Sequence, residues 1–222
     1  MNASARDEVA LAGTDLRVRP LGRVPYESTW RAMQAFTTER TPGTPDEIWI
    51  TEHEPVYTLG LAGRPQHVRD PRGIPVLEVD RGGQVTYHGP GQLIVYVLLD
   101  LRRSRTGIRA LVRALEGAVI DWLAMQEIAA YGKESAPGVY TRIGGAEAKI
   151  GALGLRVRNG CTYHGLSLNV NMDLAPFLDI DPCGYPGLAV TQVADFVDPP
   201  SFERAGQELA QHVASHVARA GR

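Results

Sequence analysis

The sequence has few lysines and cysteines, no long apolar run and almost no net charge. Among its 23 basic residues only Lys133 and Lys149 are lysines, and its two cysteines are Cys161 and Cys183. Two cysteines cannot build a disulfide framework, nor a zinc site made of cysteine alone. The longest unbroken apolar run, 93–99, is far too short to cross a bilayer. The first eleven residues carry Asp7 and Glu8 and no apolar stretch of the kind a secretory signal needs. These features predict a soluble, cytoplasmic protein with reduced thiols and no membrane role. A formal net charge of −2 argues against a general nucleic-acid binder.

Several familiar motifs are also missing. No G-x-x-x-x-G-K-[ST] phosphate loop occurs. Asn169, Asn171 and Asp173 imitate the start of an EF-hand, but Leu174 stands where glycine is required and Ile180 where the bidentate glutamate belongs. His212 and His216 lie one helical turn apart without the glutamate of a zinc-protease helix, and read as a solvated helix face. No metal or cofactor is expected.

The 222 residues are 44% hydrophobic and 22% charged, enough apolar material for one globular domain, 1–222. A helix is predicted over 28–40, capped by Ser28 or Thr29, with Trp30, Met33 and Phe36 on one face. A longer helix is predicted over 108–128, with a stripe of Ile108, Leu111, Val112, Leu115, Val119, Trp122 and Leu123. A third follows Pro199-Pro200 and turns Phe202, Leu209, Val213 and Val217 inward. Strands are predicted over 47–52, 76–79, 92–99, 138–142, 149–157 and 163–170, with a short helical turn near 173–178. The fold class is α+β: a mixed β-sheet flanked by helices.

Three stretches carry chemistry. The first is Arg81-Gly82-Gly83-Gln84-Val85-Thr86-Tyr87-His88-Gly89-Pro90-Gly91. It is longer and richer in functional groups than a hairpin turn requires, and glycine lets backbone N–H groups approach a ligand closely. The second is Ala148-Lys149-Ile150-Gly151-Ala152-Leu153-Gly154. In a chain that otherwise writes its cations as arginine, a lysine among small and apolar neighbours is notable. Arginine keeps its proton in a protein, whereas a partly buried lysine can give it up. A strand-end lysine reaching to water would look the same in sequence. The third is Asp181-Pro182-Cys183-Gly184-Tyr185-Pro186-Gly187, where a cysteine between proline and glycine is poorly placed for core filling. Cys161, at the start of a strand, suits a small buried thiol. A free thiol titrates near about 8.5, so a nucleophilic cysteine needs a neighbouring cation. Lys149, His88 and His164 are candidates, and spacing does not choose among them.

Together these stretches carry a resemblance. Arg81 to Gln92, Lys149 with its glycines, Tyr163-His-Gly-Leu-Ser-Leu-Asn-Val170 and Pro182-Cys-Gly-Tyr185 occur in the order seen in octanoyltransferases. That family is also called lipoyl(octanoyl) transferase or lipoate–protein ligase B. Glu54-Pro-Val-Tyr-Thr-Leu-Gly60 is a further matching piece, and the resemblance runs over 50–197. It implies a fold similar to the biotin/lipoate protein ligases. It also implies transfer of octanoyl from octanoyl-acyl carrier protein to a lysine ε-amine. The acceptors would be lipoyl domains of 2-oxoacid dehydrogenase acyltransferase subunits and the glycine cleavage H protein. Cys183 would match the family's nucleophile and Lys149 the lysine beside it. Arg81, Gly82, Gly83, Gln84, Val85, Thr86, Tyr87 and His88 would contact substrate, as would Ala152, Leu153, Gly154, Gly165, Leu166 and Ser167. His88 and His164 would rank second, as residues that orient the site. Exchange between thioesters is nearly balanced and thioester-to-amide transfer is downhill, so ATP is unnecessary, in keeping with the missing phosphate loop. The crowded arginines Arg102, Arg103, Arg105, Arg109 and Arg113 would suit an acidic carrier protein, and the protein is expected to be a monomer. The rival readings are an ATP-using ligase of the same fold, a Cys–His hydrolase and a non-catalytic binding module.

Overall fold

The computed structural model describes residues 9–10, 16–182 and 187–221. Among these, β1 (Val9–Ala10), β2 (Leu16–Val24), β3 (Asp46–His53), β7 (Gln92–Leu98), β8 (Ala130–Gly132), β9 (Val139–Ile143), β10 (Ala146–Arg158) and β11 (Cys161–Asn169) form one mixed sheet. Its order is β1-β2-β3-β7-β11-β10-β9-β8. A smaller sheet has the order β5-β4-β6, from Val76–Glu78, Val56–Leu59 and Val85–His88. The helices are α1 (Tyr26–Glu39), α2 (Leu101–Ser104), α3 (Ile108–Met125) and α4 (Phe202–Ala220). This is the expected α+β arrangement.

β7 explains the dense apolar run. Side chains alternate across a strand, so Leu93, Val95 and Val97 face the core under α3 and α4, while Ile94, Tyr96 and Leu98 face the cluster that includes Met33 of α1. Both faces are covered, so every β7 residue is buried. No described helix is long and apolar enough to cross a membrane.

Two helix boundaries differ from expectation. α1 starts at Tyr26 behind Pro25, whose fixed φ of −59° launches the helix. The hydroxyls of Ser28 and Thr29 therefore bond back to the Pro25 carbonyl, at 3.0 and 3.1 Å, instead of capping. α3 stops at Met125 because Glu127 turns into the left-handed region at φ 60°. β2 went unpredicted because it contains Pro20 and Gly22. Its register with β3 shifts between those two residues, and its pairing with β1 reaches only Arg17 and Val18, so Pro20 interrupts no ladder there.

Candidate active site

The three substrate segments named from sequence converge on one cleft, open to solvent, that encloses about 50 Å³. Arg81, Gly83, Gln84, Val85, Thr86 and His88 line one side. Ala152, Leu153, Gly154, Gly165, Leu166 and Ser167 line another, with Tyr26, Ile94, Tyr96 and His164 completing the wall. The sheet register explains the convergence, because Ala152 pairs with Ser167, Leu153 with Leu166 and Gly154 with Gly165. Gly165 is fixed by the next strand: a Cβ there would lie 2.1 Å from the Val95 carbonyl oxygen.

Gly82 and Tyr87 are not in the wall. Gly82 N–H donates to the Leu155 carbonyl at 3.0 Å and so ties the loop to β10. Tyr87 turns into the cluster with Tyr57 and Phe177. The glycine-rich stretch is thus half loop and half strand, since Val85–His88 is β6. The Arg81 guanidinium is buried and donates to the Thr58 carbonyl at 2.6 Å, to the Thr58 hydroxyl at 2.8 Å and to the Gly82 carbonyl at 2.9 Å. It pins the loop to β4.

Lys149 lies off the wall, three residues along β10 from Ala152. It is 5% exposed, with Nζ 3.4 Å from the Pro137 carbonyl oxygen and 5.2 Å from the centre of the Tyr140 ring. Gly138 holds φ 150°, and a Cβ on it would meet Lys149 Cε at 2.6 Å, so only glycine leaves room for this side chain. The nearby Glu116 carboxylate accepts the Gly138 N–H at 2.8 Å; burial raises its pKa, and the Gly138 bond and Lys149 oppose that rise. By contrast Lys133 is an ordinary half-exposed cation paired with Glu147.

Cys183, with Gly184, Tyr185 and Pro186, lies outside the described residues. The chain on either side of it is anchored. Asp181 N–H donates to the His67 carbonyl at 2.9 Å, and His67 Nδ1 lies 3.2 Å from the Asp181 carboxylate. Beyond it, Lys149 N–H donates to the Ala189 carbonyl at 2.8 Å and Thr191 N–H to the Lys149 carbonyl at 3.0 Å. Cys161 is buried, as expected.

Sequence reasoning missed Asp80, Tyr26, His53 and Tyr96, which surround the two histidines. Asp80 accepts from Trp30 Nε1 at 2.8 Å, Gln34 Nε2 at 3.1 Å, His164 Nε2 at 3.0 Å and the Tyr163 hydroxyl. Burial pushes the Asp80 carboxyl up, but these four bonds outweigh it and hold the group well below the usual carboxylate range. Burial pushes His164 down, and Asp80 restores only part of that, so the pair holds as carboxylate and neutral imidazole. His164 sits at φ 61°, a strained value for a residue with a side chain. Burial also lowers His53 to about 4 and His88 to about 3, and raises Tyr26 to about 12. His53 donates from Nδ1 to the Val24 carbonyl at 2.8 Å, so its Nε2 accepts from the Tyr96 hydroxyl at 2.6 Å. The one signal available in sequence was Asp80 standing directly before Arg81.

Outside the cavity, three of the five crowded arginines are held in ion pairs: Arg102 with Asp100, Arg103 with Asp46, Arg113 with Glu134. Asp46 is shared with Arg40, so the stretch keeps part of its positive charge. His216 pairs with Asp121 and His212 lies against the Met125 sulfur; no metal-binding cluster of His, Cys, Asp and Glu occurs among the described residues.

The mixed sheet flanked by helices matches the fold of solved ligases. An archaeal lipoate protein ligase with its E2 lipoyl domain, from Thermoplasma acidophilum, superposes with a TM-score of 0.70 at 19% identity, covering 89% of this chain and 82% of that one. Biotin protein ligase from Aquifex aeolicus gives 0.55 at 12% identity, covering 92% and 69%. The family model of the lipoyl protein ligase A/B catalytic domain matches residues 25–214, which sets the class. Within that class, an octanoyltransferase of Dechloromonas aromatica is 58% identical over 88% of this chain and 94% of its own length. One from Thiobacillus denitrificans is 62% identical over 81% of each. The chain belongs to the octanoyltransferase family. It is an acyltransferase that moves octanoyl groups in lipoate assembly.

Proposed function

We propose that the octanoyl group passes through a thioester on Cys183, assisted by Lys149, and that the cavity between Gly83–Thr86 and the β10–β11 pair holds the acyl chain. The observation that carries this reading is the backbone tether of Ala189 and Thr191 to Lys149, six and eight residues after Cys183. The Cys183 thiolate attacks the carbonyl of octanoyl-acyl carrier protein. A C–S bond forms, the old one breaks, and the carrier leaves as a thiol with the proton that Lys149 gives up. A lysine ε-amine of the acceptor then attacks the acyl-Cys183 carbonyl. An amide forms, Cys183 leaves as thiolate, and Lys149 takes the amine's proton. Protonated Lys149 thereby restores the thiolate for the next cycle. The acceptors in this reading are the lipoyl domains of 2-oxoacid dehydrogenase acyltransferase subunits and the glycine cleavage H protein. The enzyme works as a monomer of one catalytic domain in the cytoplasm, without cofactor, nucleic acid or membrane.

The ATP-using alternative would leave Cys183 without a role, and the relatives above 50% identity are octanoyltransferases. Intact mass measurement after incubation with octanoyl-acyl carrier protein tests the reading. One octanoyl adduct is expected on the native protein and on Cys161→Ala, and none on Cys183→Ser or Cys183→Ala. The adduct should disappear when a lipoyl domain is added, which gains the same mass. An adduct confined to Cys161, or none without ATP, overturns it.

A further inference from the structure

The buried face of α3 is apolar at every position but one. Glu116 lies there beside Leu115, Ala118 and Val119 and is 9% exposed. A glutamate is almost never taken out of water unless a partner meets its charge. Among the described residues its one hydrogen bond comes from Gly138 N–H, a neutral donor, at 2.8 Å. The cations that act on it are Lys149 and Arg113. Arg113 stands at the surface, in an ion pair with Glu134 at 3.0 Å. Lys149 is buried and reaches the same glycine, since a Cβ on Gly138 would lie 2.9 Å from its Nζ. Gly138 thus touches both groups, the carboxylate through its N–H and the lysine across its missing side chain. On the β8 side Gly132 backs the carboxylate, with its Cβ position 3.2 Å from Oε2. Glu116 also lines an open groove with Arg109, Lys133 and Glu134. Of these, Arg109 is exposed, Lys133 is paired with Glu147 and Glu134 with Arg113. Lys149 is therefore the buried cation that Glu116 serves.

We propose that Glu116 is the positioning residue for Lys149: its carboxylate keeps the lysine charged until the departing carrier needs the proton, and strengthens it as the base for the acceptor amine. This rests on the reading that Lys149 assists Cys183. Burial disfavours an ammonium and a carboxylate close by favours it, so the two act in opposite directions on an enclosed lysine. Without Glu116 the enclosure would favour the neutral amine, which has no proton to give the carrier. The proton count of the reaction is unchanged. Lys149 gives one proton to the departing carrier and regains one from the attacking amine, and Glu116 stays a carboxylate throughout. The hydrogen bond to Gly138 has a separate job: it fixes the carboxylate beside the glycine that leaves room for the lysine.

The test is the pH dependence of the first half-reaction. The full chain is mixed with octanoyl-N-acetylcysteamine, a small thioester donor, and the octanoyl adduct on Cys183 is timed by intact mass from about pH 6 to 10. The rate should fall on the alkaline side, where the lysine has no proton to give. Glu116→Gln can still accept the Gly138 N–H but carries no charge. Its alkaline midpoint should lie lower by about one pH unit or more, the effect of losing an opposite charge nearby. Glu116→Asp keeps the charge but is one methylene short of Gly138. Its melting temperature should drop while its midpoint stays near native. If Glu116→Gln does not fold, Glu116→Met, a helix former of similar length, takes its place with the same expected shift. A neutral variant with the native midpoint overturns the proposal. So does an Asp variant shifted as far as the neutral one, which would trace the effect to packing. Lys149→Arg should abolish the alkaline fall. If it keeps the native midpoint, or if no adduct forms on Cys183, the Lys149 or the Cys183 assignment has failed. If it abolishes the fall and Glu116→Gln leaves the midpoint in place, the role of Glu116 alone has failed.

Discussion

The two lysines show how far a single residue's surroundings decide its use. Lys133 meets Glu147 at a half-exposed edge, the usual place for a surface cation of small energetic weight. Lys149 is enclosed by Pro137, Gly138 and Tyr140, and its backbone bonds the segment that follows Cys183. Lys149→Arg separates the two jobs a lysine could do there, because guanidinium keeps the charge and does not release the proton. Charge alone should preserve the alkylation of Cys183 by iodoacetamide at neutral pH. Proton transfer from the attacking amine should fail, lowering amide formation by on the order of the 10²–10⁴-fold that general acid–base catalysis supplies. Single-turnover transfer from preformed octanoyl-Cys183 reads that step directly. Transfer by the Arg variant at the native rate would remove the proton-transfer role.

At the scale of strands, Gly165 in the cavity wall lets β11 run very close to β7. Gly165→Ala would push a methyl to 2.1 Å from the Val95 carbonyl oxygen, and that oxygen belongs to a strand buried on both faces. The strands must part, at a destabilisation on the order of 1–3 kcal/mol or more. Gly43→Ala, where nothing lies within 4 Å, is the control and should leave the urea midpoint near native. A Gly165→Ala midpoint equal to the control's would show that the contact relaxes without loss. The same close approach shows what the sequence could reveal. The dense apolar run at 92–99 and the α3 and α4 stripes identified strand and helices, because burial patterns repeat locally. β2 escaped, because its proline and glycine are tolerated only through a bulge and a short neighbour. The substrate segments were legible as motifs. Their convergence was not, because it depends on the register of β10 against β11. Asp80 showed only as the residue before Arg81, and Tyr26 not at all: Asp80 draws its weight from partners 46 to 84 residues away, and the surroundings of Tyr26 exist only in the packed structure.

Over the whole molecule, the buried histidines make stability depend on pH. Burial lowers His53 from its ordinary 6.5 to about 4, while the Val24 carbonyl and Glu52 oppose the fall. His88 falls from 6.5 to about 3, again chiefly by burial, with the neighbouring His53 adding to the effect and the Gln92 bond opposing it. His164 shifts in the same direction. A histidine whose folded pKa is depressed binds its proton in the unfolded chain first. The stability it contributes is therefore complete above about 6.5 and declines as pH falls toward the folded value. Between pH 6.5 and 5 most carboxylates remain ionised in both states, and Asp80, lowered in the fold, adds its own loss only further down. Across that window unfolding should take up about two protons or more, read as the slope of unfolding free energy against pH from urea melts. His88→Gln keeps a side chain able to donate to Gln92 and cannot titrate, so its slope should be smaller by about one proton. A midpoint that stays flat from pH 6.5 to 5, or a His88→Gln slope equal to the native one, would place these imidazoles outside the acid response.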